Sequence, residues 1–291
     1  MLVTGQFAIS LLLIAGTLTG FRQIQFMKNQ NLGFDKEQML VLPIRGNTAF
    51  PEKYESIKNE FLKQATLVAA TASSSVPGRG VSNFAIELMN EVDKKNQSMY
   101  YAFVDHDFVE LFGLEIIAGR SFRRELATDA GNAFLINEAG LKAFGWATPE
   151  EALGRRIQTG FEGRQGEIIG VYKNFNFRSL QYEVEPLVLA MHPPWFSYLT
   201  LKINTMEVPA TLGFVREQWH RFFPQHPFEY FFLDDNFDQQ YRADERMTTI
   251  ILIFTCLAIG VACLGLFGLV AFVTVQRTKE IGIRKTLGAT V

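Results

Sequence analysis

The chain has 291 residues, 48% of them hydrophobic, which is enough to build a substantial core and excludes a disordered tail. A formal net charge of -2 and a pI near 6.1 exclude a general nucleic-acid binder, which carries a clear basic excess. Both cysteines, Cys256 and Cys263, lie in one apolar run, so the polar middle of the chain has no thiols for a disulfide or a cysteine metal centre.

Residues 1–21 carry no charged side chain, and a membrane-spanning helix needs about 20 predominantly apolar residues. A secretory signal would start with basic residues; Met1, Leu2, Val3 and Thr4 supply none, so the run is read as an uncleaved first crossing. Beyond it, Phe21, Ile24 and Met27 keep a helical stripe while Arg22, Gln23, Gln25 and Lys28 face elsewhere. Residues 22–36 are therefore expected to form a stalk helix, with a stop signal at Asn31, Leu32 and Gly33.

The middle of the chain, residues 37–235, alternates strand-like and helix-like patterns and holds many of the 27 phenylalanines, so it should have its own core. Residues 39–44 read as a strand, 52–62 as a helix and 67–71 as a strand, a βαβ-like unit. A similar unit closes the segment, with strand 198–203, helix 208–223 and strand 228–233. This arrangement predicts an α+β domain of two lobes. Lobe one comprises residues 37–104 and 186–235, and the inserted lobe comprises 105–185. The insert reads as short helices at 108–112, 138–144 and 149–153 and strands at 114–117, 134–136 and 166–172.

Asp234, Asp235 and Asn236 are good helix caps, and Phe237 and Tyr241 lie one turn apart, so residues 236–246 are expected to form a second stalk. Residues 247–276 are uncharged and apolar on every side, the mark of a second crossing. Within this run Ala258, Ala262 and Gly265, extended by Gly268, form a small-residue stripe. It fits either close approach of another membrane helix or the ordinary tolerance of membrane helices for glycine. Arg277, Lys279, Arg284 and Lys285 then stand against the single acid Glu280, which places residues 277–291 in the cytoplasm by the positive-inside rule. With two crossings, the N-terminus is cytoplasmic and the α+β domain lies outside.

Sites for chemistry are sparse. The chain has no G-x-x-x-x-G-K-[ST] loop for a nucleotide and no G-x-S-x-G nucleophile elbow. Asp105, His106 and Asp107 are read as a helix cap rather than a metal cluster, and Ser73, Ser74 and Ser75 as a flexible polar loop. His192, His220 and His226 show no ligand spacing, and Asp234, Asp235 and Asp238 read as caps on a solvated face. No enzyme activity and no cofactor are expected. A membrane receptor with an outer ligand-sensing domain is the alternative, but it would continue into a heptad-patterned linker, whereas this chain turns at Gly288.

Three stretches resemble one family: Gln6-Phe7-Ala8-Ile9-Ser10; Lys28-Asn29-Gln30-Asn31-Leu32-Gly33-Phe34-Asp35-Lys36; and Cys263-Leu264-Gly265-Leu266-Phe267-Gly268-Leu269 with Arg277-Thr278-Lys279-Glu280-Ile281-Gly282-Ile283-Arg284-Lys285-Thr286-Leu287-Gly288-Ala289. Together they resemble the MacB/FtsX-type ABC transporter permeases, in particular the second half of the duplicated permeases of Bacteroidota. The resemblance implies a MacB-like periplasmic core domain in the bacterial inner membrane. It also implies a coupling segment in which Arg277, Lys279, Glu280, Ile283, Arg284, Lys285 and Leu287 dock on a separate ATP-hydrolysing subunit. The residues suit such a role: Ile283 and Leu287 form an i, i+4 apolar pair, and Glu280 and Arg284 a supporting ion pair. Read without the resemblance, the same segment fits a plain positive-inside anchor equally well. Family members carry two further crossings, so the resemblance implies a piece of a longer permease. The partners it implies are the ATPase, another permease half or second copy, membrane lipid and a periplasmic adaptor.

Overall fold

A computed structural model describes residues 2–44, 50–89, 96–204 and 207–286. One compact unit is the domain Asn31–Asp238; the other is helical and is built from the two ends of the chain. Helix α1 is Leu2–Asn29. It stops short of the expected stalk end at residue 36 because Asn31 Oδ1 accepts the Gly33 N–H at 2.9 Å and Gly33 takes φ +80°, a turn that a helix cannot continue through.

In chain order the domain holds β1 (Met39–Pro43), α2 (Phe50–Phe61) and β2 (Leu67–Ser73), then β3 (Ser82–Leu88), β4 (Asn96–Phe103), α3 (Phe108–Leu111) and β5 (Ile116–Gly119). Next come α4 (Asp129–Asn132), β6 (Ala133–Asn137), α5 (Glu138–Phe144), β7 (Arg156–Thr159), β8 (Gln165–Tyr172) and β9 (Leu187–Ala190). β10 (Tyr198–Ile203), α6 (Val208–Phe222) and β11 (Phe231–Phe232) follow, and α7 (Leu233–Thr286) is the last element among the described residues.

The first sheet has the order β11-β1-β10-β2, with β10 antiparallel to both β1 and β2, and β11 antiparallel to β1. β1 and β2 are thus parallel with β10 between them, and β10 and β11 parallel with β1 between them. These are two interleaved split βαβ units of ferredoxin-like type. Residues Met39, Leu40, Val41 and Leu42 are wholly buried, as a central strand covered on both faces requires of a continuous apolar run. Helices α2 and α6 share a layer: the Phe61 and Phe222 rings lie 6.4 Å apart and those of Phe50 and Phe223 6.3 Å apart.

Everything from β3 to β9 is inserted between β2 and β10. Its seven strands run β5-β8-β6-β9-β4-β3-β7, and β7 also pairs with β8, so six of them close into a barrel with β5 appended at β8. Phe84, Tyr101, Phe103, Phe134 and Phe161 pack against one another among the buried residues of this insert. Two glycines let β5 lie close against β8. A Cβ on Gly119 would stand 2.3 Å from the Ile169 carbonyl oxygen, and one on Gly170 would stand 2.3 Å from that of Arg120.

This division departs from the expected lobes. The residues of β3, β4 and β9 fall within the expected lobe one, yet β3 pairs with β7 and β9 with β6, and β4 lies between β3 and β9 in the same sheet. Residues 82–88, 96–103, 156–159 and 187–190 carry no clear strand pattern, so both expected boundaries fall inside the inserted sheet. The expected strand 228–233 shortens to β11, and the expected helix 149–153 is a 3-10 turn, Pro149–Ala152. Ser73, Ser74 and Ser75 form no flexible polar loop. Ser73 is wholly buried, the Ser74 hydroxyl accepts the Phe103 N–H at 2.9 Å, and Ser75 donates to the Gly80 carbonyl at 2.9 Å.

Candidate functional site

Two arrangements merit description as sites: the pairing of the terminal helices, and a buried charge cluster in the domain. Apolar windows long enough to cross a bilayer occupy Gly5–Met27 and Glu245–Thr278, and most of each is exposed, unlike the core helix of a soluble protein. The two helices run antiparallel, because Gln6 meets Gly265, Thr17 meets Thr255 and Gly20 meets Thr248. Thr17 and Thr255 are buried, with hydroxyl oxygens 3.0 Å apart. Each is also within reach of its own i−4 carbonyl, Leu13 at 2.7 Å and Ile251 at 2.8 Å. Ile24 and Tyr241 are buried in the same unit.

The small-residue stripe is met mainly by α1 of the same chain. Ala262 is buried, a Cβ on Gly265 would lie 3.4 Å from Gln6 Oε1, and Ala258 lines a groove of about 750 Å³ together with Gln6, Ile9 and Ser10. Small side chains are what let backbones approach this closely. A Cβ on Gly268 would meet nothing within 4 Å, so the fourth member of the stripe stands apart.

Of the expected coupling residues, Arg277 and Ile283 are exposed on α7, which remains helical through Thr286. Lys279, Glu280, Arg284 and Lys285 lie on that helix with side chains outside the described residues, and Leu287 lies outside them altogether.

The charge cluster begins with α2, whose buried side carries Phe50, Ile57 and Phe61, and with them Lys58. The Lys58 ammonium donates to Asp105 Oδ2 and, at 2.5 Å, to Asp107 Oδ2. Asp105 is wholly buried and accepts in addition from the Thr71 hydroxyl, from Ala72 N–H at 2.9 Å and from Asp107 N–H at 3.1 Å. One carboxylate therefore ties α2, the β2 strand and the turn before α3 together. This corrects the reading of 105–107 as a helix cap: α3 is only four residues long, and the Asp107 side chain makes no cap bond. Burial drives the Asp105 carboxyl up, with Lys58 opposing it in part. Burial alone would pull Lys58 down, but the Asp105 and Asp107 carboxylates outweigh it and hold the ammonium charged. Asp107, pushed up by partial burial, is brought well below the usual range by the His106 imidazole and the Lys58 ammonium beside it. A lysine held protonated by two acids is neither a nucleophile nor a base, so the cluster braces structure. The sequence did hold a signal for it: Phe50, Tyr54, Ile57, Lys58 and Phe61 fall at i, i+4, i+7, i+8 and i+11, so Lys58 stands inside the apolar stripe.

A ferredoxin-like sheet carrying an inserted barrel, joined to two helices of membrane-crossing length, defines a membrane-anchored α+β protein. The sequence profile of the MacB-like periplasmic core domain matches residues 7–206, starting inside α1 and reaching past β10. The chain belongs to that family, and with it to the MacB/FtsX-type ABC transporter permeases. Among solved structures, the periplasmic region of MacB from Actinobacillus actinomycetemcomitans shares the fold, with a TM-score of 0.51 at 14% identity over 74% of this chain and 97% of that one. The extracellular domain of the noncanonic ABC-type transporter YknZ from Gram-positive bacteria gives 0.45 at 12% identity, over 66% of this chain and 97% of that one. A domain of a putative permease protein from Porphyromonas gingivalis gives 0.45 at 17% identity, over 68% and 89%. A search of curated proteins found no match.

Proposed function

We propose that this chain is a non-enzymatic permease component that relays movement of a separate ABC ATPase to a domain on the outer side of the bacterial inner membrane, for export or extraction of a substrate. The observation that carries the reading is α7, one helix whose 54 residues run from Leu233, directly after β11, through the apolar window into the basic segment. A helix is stiff along its axis and spans 1.5 Å per residue, so it suits the transmission of displacement. The basic segment agrees with a cytoplasmic end, and an apolar-pair-plus-charge surface at Ile283, Arg284 and Lys285 suits docking on a protein partner.

The test is capture of a purified MacB-like ATPase by the chain in detergent, with ATP hydrolysis measured for the chain alone and for the complex. The native chain should bind and have no hydrolysis of its own, and reversal of charge at Arg284 and Lys285 should weaken binding at least tenfold. Unchanged binding by R284E/K285E, or a labelling reagent confined to the outside of the cell reacting at residues 277–285, overturns the proposal.

A further inference from the structure

Around the charge cluster, His106 occupies a position that Lys58 and its acids do not explain. Its side chain is largely buried, and Nε2 accepts a hydrogen bond from Arg124 Nε at 2.8 Å. Arg124 comes from the segment 120–128, and its Nη2 also reaches Glu55 Oε2 at 3.0 Å and Asp107 Oδ2 at 3.6 Å. Two carboxylate oxygens flank the same imidazole nitrogen, Asp107 Oδ2 at 3.3 Å and Glu55 Oε1 at 3.6 Å. Glu55 Oε1 is buried and has no hydrogen-bond partner. The charged groups around His106 are therefore Glu55 and Lys58 from α2, Asp105 and Asp107 from its own turn, and Arg124 from the facing segment.

We propose that His106 is a pH-sensitive latch: neutral, it holds the 120–128 segment against α2 through Arg124, and protonated, it lets that segment go. A nitrogen that accepts from a guanidinium must keep its lone pair free. When a solvent proton binds Nε2, two N–H groups point at each other across 2.8 Å and two positive charges meet. The new Nε2–H has a replacement within reach, because the Asp107 and Glu55 oxygens lie near the same nitrogen, and Glu55 Oε1, 3.9 Å from Lys58 Nζ, accepts no hydrogen bond. The imidazolium therefore turns to the acids, and Arg124 loses one of its tethers and shares the others with a competing cation. No covalent bond changes; a single proton is taken from water. Histidine as a residue type ordinarily changes charge between pH 5 and 8, which sets the two pH values at which the latch is tested.

The surroundings decide how far the release extends. Residues 123–128 are exposed, while Phe122 and Asp129 at either end are buried, and Asp129 is gripped by Arg120 through two hydrogen bonds of 2.6 and 2.9 Å. Only the middle of the segment depends on Arg124. Glu55 continues to attract Arg124 after His106 is charged, so the segment loosens rather than unfolds.

Hydrogen exchange of the full chain in detergent, read on peptides covering 120–128 at pH 5 and pH 8 and corrected for intrinsic exchange, tests this. In the native chain the segment should exchange roughly three- to tenfold faster at pH 5, the size expected for one or two weakened half-exposed contacts, while β8 peptides stay unchanged. His106→Gln cannot titrate and should remove the pH dependence. Arg124→Ala, on an exposed stretch that tolerates truncation, should exchange fast at both pH values. Equal exchange of the native segment at the two pH values overturns the latch, and so does a pH dependence that survives in either variant.

Discussion

Thr17 and Thr255 share two protons among three contacts: each hydroxyl can donate to its own i−4 carbonyl, and the two oxygens are 3.0 Å apart. One hydroxyl must donate across the helix pair while the other keeps its back-bond. Replacing either by valine keeps the shape and removes the bridge. We expect a loss of about 0.6 kcal/mol in helix association, with about 1.7 kcal/mol as the upper bound for such bonds in lipid. Thr17→Cys with Thr255→Cys should crosslink under mild oxidation, read as a mobility shift on a gel.

The small-residue stripe should be unequal in its tolerance. Gly265→Leu drives a branched side chain against Gln6 and should separate the helices, with overpacking of about 1–3 kcal/mol, whereas a Cβ at position 268 has open space around it and Gly268→Leu should be tolerated. The efficiency of the 17–255 crosslink measures this directly. It should fall sharply for the first variant and hold for the second; equal loss in both would remove α1 as the partner of the stripe.

Lys58 and Asp105 are both essentially unexposed, so removing one leaves the other as a buried, unbalanced group. Lys58→Met should destabilise the domain by about 3–5 kcal/mol, and the double change Lys58→Met with Asp105→Leu by less, since an apolar pair requires no charge balance. Denaturant unfolding followed by tryptophan fluorescence distinguishes the two.

Asp129 gives the acid limb of stability. Burial pushes its carboxyl up, but the paired hydrogen bonds from Arg120 and the Arg123 N–H hold it below the ordinary range. A depressed folded value means that the stabilisation is fully present above the unfolded aspartate value of about 3.9 and is lost as pH falls through the folded value. Asp107 acts with the same sign. Asp105, whose value is raised, acts with the opposite one, so its ionisation opposes folding as pH rises past the unfolded value. Asp129→Asn should lower stability at pH 7 by about 2 kcal/mol and flatten its decline below pH ~4, as read from thermal unfolding across pH 3–7.

Legibility in the sequence followed periodicity. β10 and α5 match the expected residues one for one, because an isolated apolar run and a helix with Asn137 and Gly145 at its ends carry unambiguous signals. β3 and β4 did not stand out: Ser82, Asn83, Asn96, Gln97 and Ser98 are polar, and their inward residues alternate only weakly before Tyr101. β7 and β9 are four residues each, too short for a period to show. The split βαβ units were visible as units but not their interleaving, since a strand pattern says nothing about which neighbour it will find. At the site, the small-residue stripe was visible and its partner was not. Lys58 was overlooked because a lysine on an apolar stripe is ordinarily read as a chain that reaches back to water.

The ladder between β7 and β8 has a mechanical corollary. A hoop of six hydrogen-bonded staves cannot widen or hinge without severing a whole row of bonds, so the inserted barrel travels as a rigid bead. That bead is not free to swing: the Lys58–Asp105 pair and buried residues shared with the first sheet fasten it to β1, β2 and α2, so a displacement of those elements carries the barrel whole.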